Sequence, residues 1–515
     1  MSSYLLGIDI ATTSTKTLLM EGSGKVLGSA TAEYPLETPK PLWSEQDPEH
    51  WWEATVKTIR EVLQKTGVSA SSIAGIGLSG QMHGLVCLDS DNRVLRPAIL
   101  WNDQRTGAQC DAITQRVGAE KVIQLTGNPI LTGFTAPKLL WVQENEPDVY
   151  SRIAKILLPK DYVRYRLTNS FCTDVSDASG MSLLDVANRR WSDEMVDAVG
   201  AKRAWLADVS ESSDPSSKVT GEGASATGLP EGIPVVGGGG DQACQAVGVG
   251  IVREGVASAT LGTSGVVFAA SDEYRVEPEG RLHAFCHAVP GKWHLMGVML
   301  SAAGSFRWYK DVLGQQESRE AAETGKDPFE ILTQQAALAP AGCEGLLFLP
   351  YLTGERTPWP DPLARGNFFG LTLRHQKAHM TRSVMEGVTY GMRDSLELMR
   401  NLQLKVSHIV ASGGGAKSPL WRQMMADNFH ARTVTVNASE GAAYGACLLA
   451  ATGAGIFPSV EAACDACLQE TGETLPGPEA TVYDDFYPHY KSLYPALAPI
   501  FHKVAATVEK HGGSG

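Results

Sequence analysis

The chain has 515 residues, 44 Lys+Arg against 57 Asp+Glu, a formal net charge of −13 with His neutral, and 43% hydrophobic residues. At roughly 150 residues per domain this length suggests three to four domain-sized units or two large ones, and the near-average apolar and charged fractions exclude a disordered or fibrous chain. The excess acid argues against nucleic acid or an anionic membrane surface as a partner, because both select cationic faces.

The N-terminus has no basic stretch before its apolar residues, and no segment reaches the roughly 18 uncharged apolar residues of a membrane span. The nine cysteines are odd in number and scattered from Cys87 to Cys467, which suits a reducing compartment, and a cytoplasmic location is expected. Cys464 and Cys467 form a C-x-x-C with no second pair at zinc-finger spacing, and read as small residues on a late helix.

In chain order, Tyr4–Ile10 predicts a buried strand and Lys16–Met20 its hairpin partner, joined by the turn Ala11-Thr12-Thr13-Ser14-Thr15. Trp51, Trp52, Val56, Ile59, Val62 and Leu63 recur at helical spacing between Pro48 and Gln64, with Gly67 as the stop. Ile73–Leu78 predicts a strand running into Ser79-Gly80-Gln81-Met82-His83-Gly84. Ile233–Val236 is a strand feeding Gly237–Gly240, and Asp241–Val247 a helix. Val256–Leu261, the turn Gly262-Thr263-Ser264-Gly265 and Val266–Ala269 form a second hairpin, and His408–Ser412 another strand before Gly413-Gly414-Gly415. Alternating strands and helices indicate an α/β architecture. The second half repeats the order of the first, which implies two domains meeting near Gly248–Arg253 around a cleft.

Glycine is in excess, 53 residues or about a tenth against an average of about 7%, and it concentrates in turns after apolar strands. Turn amides and hydroxyls bind phosphate without a basic surface. A Walker loop is excluded, because no Gly-Lys pair here is followed by Ser or Thr, and the protein-kinase triplets are absent. Gly238-x-Gly240-x-x-Ala243 satisfies a loose dinucleotide fingerprint, but no acidic residue lies about 20 positions on to hold a ribose. His283 and His287 share one face of the alternating segment Leu282–Val289 without a third ligand, and read as structural; His375 and His379 read as packing or cleft-lining residues. Gly512–Gly515 reads as a disordered tail.

Ordered motifs carry a resemblance. Gly7-Ile8-Asp9-x-x-Thr12-x-Ser14-x-Lys16 resembles the first phosphate loop of the FGGY family of carbohydrate kinases, Leu261–Gly265 its second, and Ser412–Ser418 its adenosine loop. Two family signatures fit as well, one from Gly133 through Thr135, Lys138 and Trp141 to Asn145, the other from Gly366 through Leu371 and His379 to Glu386. The resemblance extends from Tyr4 to about Gly453. It implies an α/β actin-like ATPase (ribonuclease H-like) fold with two duplicated domains, residues 1–249 and 250–490, closing on ATP and a sugar, and a C-terminal helix and tail at 491–515.

By the same resemblance, Asp241 takes the place of the catalytic base, and Asp9 that of the carboxylate positioning Mg²⁺, largely through water. Read from the residues alone, Asp241 is also a reasonable helix N-cap and Asp9 a turn-forming Asp. Thr12, Thr13, Ser14 and Lys16 with Gly262, Thr263 and Ser264 are implied phosphate-binding residues, and Gly413, Gly414 and Gly415 adenosine-binding residues. Ala11 stands where many members have Gly. The Gln81-Met82-His83-Gly84 stretch resembles members acting on D-xylulose, whereas glycerol-specific members carry an Arg-Glu pair there. With Trp101, Asn102, Asp103 and Gln242 it forms the implied sugar site. The implied reaction is ATP-dependent phosphorylation of D-xylulose. The alternatives are a kinase for another ketose or polyol, such as ribulose, fuculose or glycerol, and an actin-like chaperone or filament ATPase. The implied partner is a small sugar, with no nucleic acid and no membrane; a homodimer is an open possibility.

Overall fold

The computed structural model describes residues 3–438 and 440–512; Gly513, Ser514 and Gly515 of the expected tail lie outside the described residues. The first half opens with β1 (Tyr4–Ile10), β2 (Ser14–Glu21) and β3 (Val26–Glu33), followed by helix α1 (Pro48–Thr66). Asp47 caps α1 by accepting from the Glu49 amide, Pro48 supplies its first turn, and Gly67 ends it in the left-handed region at φ 67°. The chain continues through β4 (Ile73–Gly80), α2 (Thr135–Asn145), α3 (Pro159–Thr168), α4 (Val175–Ser179), β5 (Pro215–Lys218), β6 (Pro234–Val236), β7 (Gly239–Gly240) and α5 (Asp241–Gly248). The sheet order is β5-β6-β4-β1-β2-β3, with β7 also pairing β4.

The second half comprises β8 (Gly255–Leu261), β9 (Gly265–Ser271), β10 (His283–Cys286), β11 (Trp293–Met299), α6 (Lys377–Asn401), β12 (Val406–Ser412), β13 (Arg432–Val436), α7 (Gly441–Gly453), β14 (Glu470–Thr474) and α8 (Ala480–Lys510). Its sheet order is β10-β11-β9-β8-β12-β13-β14. The sequence echo is therefore structural. In each half, three antiparallel strands (β3-β2-β1 and β11-β9-β8) continue into two parallel ones (β4-β6 and β12-β13). Two copies of this ribonuclease H-like plan make the actin-like ATPase fold. Within the second half, the segment read as alternating over Leu282–Val289 is a strand only at His283–Cys286.

The halves are joined by helix packing at backbone distance. A Cβ on Gly7 of β1 would lie 2.0 Å from the Ala443 carbonyl oxygen of α7, and one on Gly77 of β4 would lie 1.9 Å from that of Ala446. Helix α7 of the second half thus lies directly on the first sheet. Gly445 on α7 likewise admits the Cys244 carbonyl of α5. This explains why α7 is buried from Ala442 to Ala451 instead of showing one apolar stripe. A boundary at residue 490 falls inside α8, so residues 491–510 are not a separate unit: Tyr483, Tyr487 and Tyr490 bury the start of that continuous helix.

Candidate active site

Strand ends bring the two carboxylates together. Asp9 pairs in register with Lys16 of β2 and Ser79 of β4, while Gly239 and Gly240 pair with Ser79 and Gly80 on the other side of β4. Asp241 emerges one residue past that rung. The glycine run makes this path possible: Gly238 is left-handed at φ 72°, and a Cβ there would lie 2.2 Å from the Leu78 carbonyl oxygen. The N-cap of α5 is Gly240, so Asp241 is the first helical residue and its carboxyl is not the cap. Burial, and after it the charge of Asp9, push the Asp241 carboxyl up to about 7. Burial also raises Asp9, opposed by the neighbouring Ser79 hydroxyl and by the Lys16 charge. Asp9 is a strand residue, and its Oδ1 is buried without a hydrogen-bond partner.

On the sugar side, the Gln81 amide donates to the Ile10 carbonyl at 2.8 Å, and its side-chain Nε2 to Gln46 Oε1 at 3.2 Å. Met82 packs on Gly240, where a Cβ would meet its side chain at 2.8 Å. His83 stands at φ 71°, a strained position for a non-glycine residue. Its Nδ1 lies 2.7 Å from the Gly180 carbonyl, and its ring stacks on Phe134 at 4.5 Å. Burial lowers its pKa to about 3, so the ring is neutral; Nδ1 donates to Gly180 and Nε2 is left as an acceptor. Trp101 is exposed, with its indole N–H tied to Thr12 Oγ1 at 3.0 Å. Asn102 keeps a buried, unpartnered Oδ1, and Gln242 follows Asp241 on α5.

Asp103 departs from its expected role. It is fully buried, accepting from the Ser44 amide at 2.7 Å and from Arg105 through both oxygens. Its carboxylate is consumed in holding Arg105 over the Trp43 ring, 3.6 Å from the centroid, and does not read a sugar hydroxyl.

The nucleotide side repeats the hairpin. Thr12, Thr13 and Ser14 turn between β1 and β2, with the Ala11 amide donating to the Ser14 carbonyl at 3.0 Å. Lys16 forms an ion pair with Glu440 of the second half and so bridges the halves. Gly262, Thr263 and Ser264 turn between β8 and β9, with both hydroxyl residues exposed. Gly413 is left-handed at φ 82°, and a Cβ there would lie 2.5 Å from the Leu261 carbonyl oxygen. Beside it, Thr260 and Ser412 hydroxyls meet at 2.8 Å. The Ser412–Gly415 loop and the Gly262–Ser264 turn therefore share one edge. A Cβ on Gly414 would meet nothing within 4 Å, leaving that edge open.

Sequence reasoning missed two buried supports. Gln46 donates to the Thr12 carbonyl at 2.6 Å and accepts from Gln81 and Trp51, joining the first turn to the sugar side. Lys138, noted only as part of a signature, is fully buried and donates to the His83 carbonyl at 2.9 Å and the Gly133 carbonyl at 2.6 Å. A lone Gln before a helix carries no sequence signal; the lysine inside apolar Thr135–Val142 does. Cys464 and Cys467 are free and buried, and among the described residues no group of three or more His, Cys, Asp or Glu is gathered to hold a metal. No helix among the described residues is long and apolar enough to cross a membrane.

Two duplicated lobes, each with a hydroxyl-bearing hairpin turn, and the neighbouring carboxyls of Asp9 and Asp241 are the parts of a sugar kinase. Residues 4–248 match the N-terminal domain of the FGGY family of carbohydrate kinases, and residues 257–454 its C-terminal domain. The chain belongs to that family. It is 40% identical to a xylulose kinase of Lactococcus lactis, over 98% of either chain, and 44% identical to one of Escherichia coli, over 82% of this chain and 84% of the relative. A solved xylulose kinase structure from Rhodospirillum rubrum superposes with a TM-score of 0.90 at 30% identity, over 97% of this chain and 100% of that one.

Proposed function

We propose that the chain phosphorylates D-xylulose at its C5 hydroxyl, using ATP, to give D-xylulose 5-phosphate. The observation that carries the chemistry is Asp241, a cleft carboxyl at about 7, one residue past the Gly240 that Met82 packs against. The likeness to xylulose kinases supports the choice of sugar. Asp241 takes the hydroxyl proton as the C5 oxygen bonds to the γ-phosphorus and the bond to the bridging oxygen of ADP breaks. His83 accepts a sugar hydroxyl at Nε2, Met82 and Trp101 offer apolar faces, and Asn102 and Gln242 hydrogen-bond the remaining hydroxyls. The turns at Thr12–Ser14 and Gly262–Ser264 cradle phosphates, and Gly413–Gly415 flank the adenosine. Helix α5 and the first phosphate turn belong to the first half, the second turn and adenosine loop to the other.

The unpartnered, buried Asp9 Oδ1 fits a carboxylate that touches Mg²⁺ through water. When bound, Mg²⁺ would neutralise charge on the phosphates, and Asp9 would help to hold it there. Nine free, buried cysteines suit a cytoplasmic location.

The test is ADP release over a panel of D-xylulose, D-ribulose, fuculose and glycerol. Highest kcat/KM with D-xylulose is expected; a higher value with any other acceptor sinks the substrate assignment. Sugar-independent hydrolysis stimulated by unfolded peptide would favour a chaperone instead.

A further inference from the structure

Helix α4 is five residues long and lies outside every motif that the sequence singled out, yet it touches both sides of the candidate site. Asp174 caps it, accepting from the Ser176 amide at 2.8 Å and from the Ser176 hydroxyl at 2.5 Å, both at Oδ2. With its hydroxyl hydrogen committed to Asp174, Ser176 Oγ has a lone pair aimed outward. It accepts the backbone N–H of Gly240 at 3.2 Å, the residue immediately before Asp241. At the other end of α4, the Gly180 carbonyl accepts from His83 Nδ1, and Ser179 Oγ accepts the Cys286 amide of the second half at 3.1 Å.

The anchor beneath Asp174 is a fully buried charge cluster. Lys160 Nζ lies 2.5 Å from Asp161 Oδ1, 3.1 Å from Asp174 Oδ1 and 3.5 Å from Asp177 Oδ2, with none of these side chains more than 1% exposed. Ser212 adds a second hydroxyl donor to Asp174 Oδ2 at 2.8 Å. Replacing such a cluster by well-packed apolar groups is commonly neutral or stabilising, so its presence here calls for a function other than stability. Space is also tight. A Cβ on Gly239 would lie 3.1 Å from Ser176 Oγ and 2.9 Å from Cys244 Sγ.

We infer that Ser176, oriented by Asp174 over Lys160, is a positioning residue that fixes the Gly239–Gly240 strand end and so sets where the Asp241 carboxylate stands relative to the sugar hydroxyl. The inference rests on the reading of Asp241 as the base. Glycines at 237 through 240 give that segment wide backbone freedom, and only two of its residues pair with β4. Among the described residues, Ser176 provides the one side-chain hydrogen bond to the backbone of Gly240. Of the proposed sugar-binding residues, Met82, His83, Trp101 and Asn102 come from other segments and only Gln242 follows Asp241 on α5, so loosening Gly240 acts on turnover more than on binding.

Ser176→Ala, Ser176→Thr and Asp241→Ala are purified as full chains and assayed by ADP release with D-xylulose. Ser176→Ala is expected to lower kcat about ten- to a hundredfold, the scale of an ångström-sized misplacement, with the KM values for sugar and ATP within about twofold. Ser176→Thr keeps the hydroxyl but adds a methyl to a fully buried site, so a kcat above that of Ser176→Ala supports the inference. A Ser176→Ala kcat within twofold of the unaltered chain, or a loss carried by KM with kcat kept, overturns the inference. Should Ser176→Ala not yield soluble protein, Ser176→Cys keeps the volume while weakening the acceptor and is judged against the same limits. If Asp241→Ala is inactive while Ser176→Ala is not slowed, only the positioning role falls. If Asp241→Ala retains turnover, the base assignment falls and takes this inference with it.

Discussion

Asp9 and Asp241 flank the end of β4 from its two neighbouring strands, and the like charge of Asp9 adds to burial in holding Asp241 at about 7. A general base works best with a pKa near the operating pH, and burial with the charge of Asp9 brings Asp241 there. The pH profile of kcat/KM should therefore fall off on the acid side with a midpoint near 7, losing about tenfold per unit below it as Asp241 protonates. Asp9→Asn removes the like charge, so the acid limb should move to lower pH even though the maximum rate also drops. Profiles measured from pH 5 to 9 on both proteins check this; an unmoved limb in the variant would dissociate the two residues.

Asp241→Ala should cost about 10² to 10⁴ in kcat, the range for losing a positioned base. Sugar binding should stay within a few-fold, because the proposed sugar-binding residues Met82, His83, Trp101 and Asn102 lie on other segments and Gln242 is left in place on α5. Calorimetric titration of D-xylulose together with single-turnover phosphorylation checks it. Wild-type turnover in the variant would remove Asp241 from the mechanism.

Much of this arrangement was legible because it is local. Strand, turn and strand are adjacent in sequence at Tyr4–Glu21 and Gly255–Ser271, and the caps of α1 lie within its own ends. What escaped reading are partners distant in the chain. Asp103 looked free to read hydroxyls until Ser44, 59 residues away, and Arg105 took both of its oxygens. Lys16 reads as a phosphate-binding residue, and its ion pair with Glu440, 424 residues on, leaves no mark in the local sequence. Ser176 was invisible because its partner, Gly240, lies 64 residues along and contributes only a backbone N–H. Residue type and spacing announce chemistry, but they do not tell which polar groups the fold has already satisfied.

The raised Asp241 pKa also bears on stability. The folded chain binds the proton more tightly than the unfolded chain, whose Asp sits near 3.8. Between pH 4 and 7 the native state therefore carries more protons, and stability falls as pH rises through that window. Above pH 7 the penalty is complete, on the order of a few kcal/mol. Asp241→Asn should raise the thermal midpoint at pH 8 while leaving it nearly unchanged at pH 4, with activity lost at both. Scanning calorimetry at the two pH values is the check; an equal gain at both would point to packing rather than charge.

Gly77 tests how the halves are joined. It sits on β4 where α7 crosses the first sheet, and a Cβ there would stand 1.9 Å from the Ala446 carbonyl oxygen and 2.7 Å from its carbon. Backbone cannot yield as a side-chain tip does, so Gly77→Ala must push α7 off β1 and β4 and open the contact at Gly7 as well. Overpacking of this kind costs about 3 kcal/mol, and the loss should appear as one cooperative destabilisation, since α7 belongs to the cores of both halves. Gly107 is the control: it opens a helix, and a Cβ there would meet nothing within 4 Å. Gly107→Ala should be neutral or stabilising by up to about 1 kcal/mol, through the reduced freedom of the unfolded chain. Urea midpoints for the two variants decide the matter, because a Gly77→Ala protein as stable as the Gly107→Ala one would show that α7 and the first sheet are not held at backbone contact.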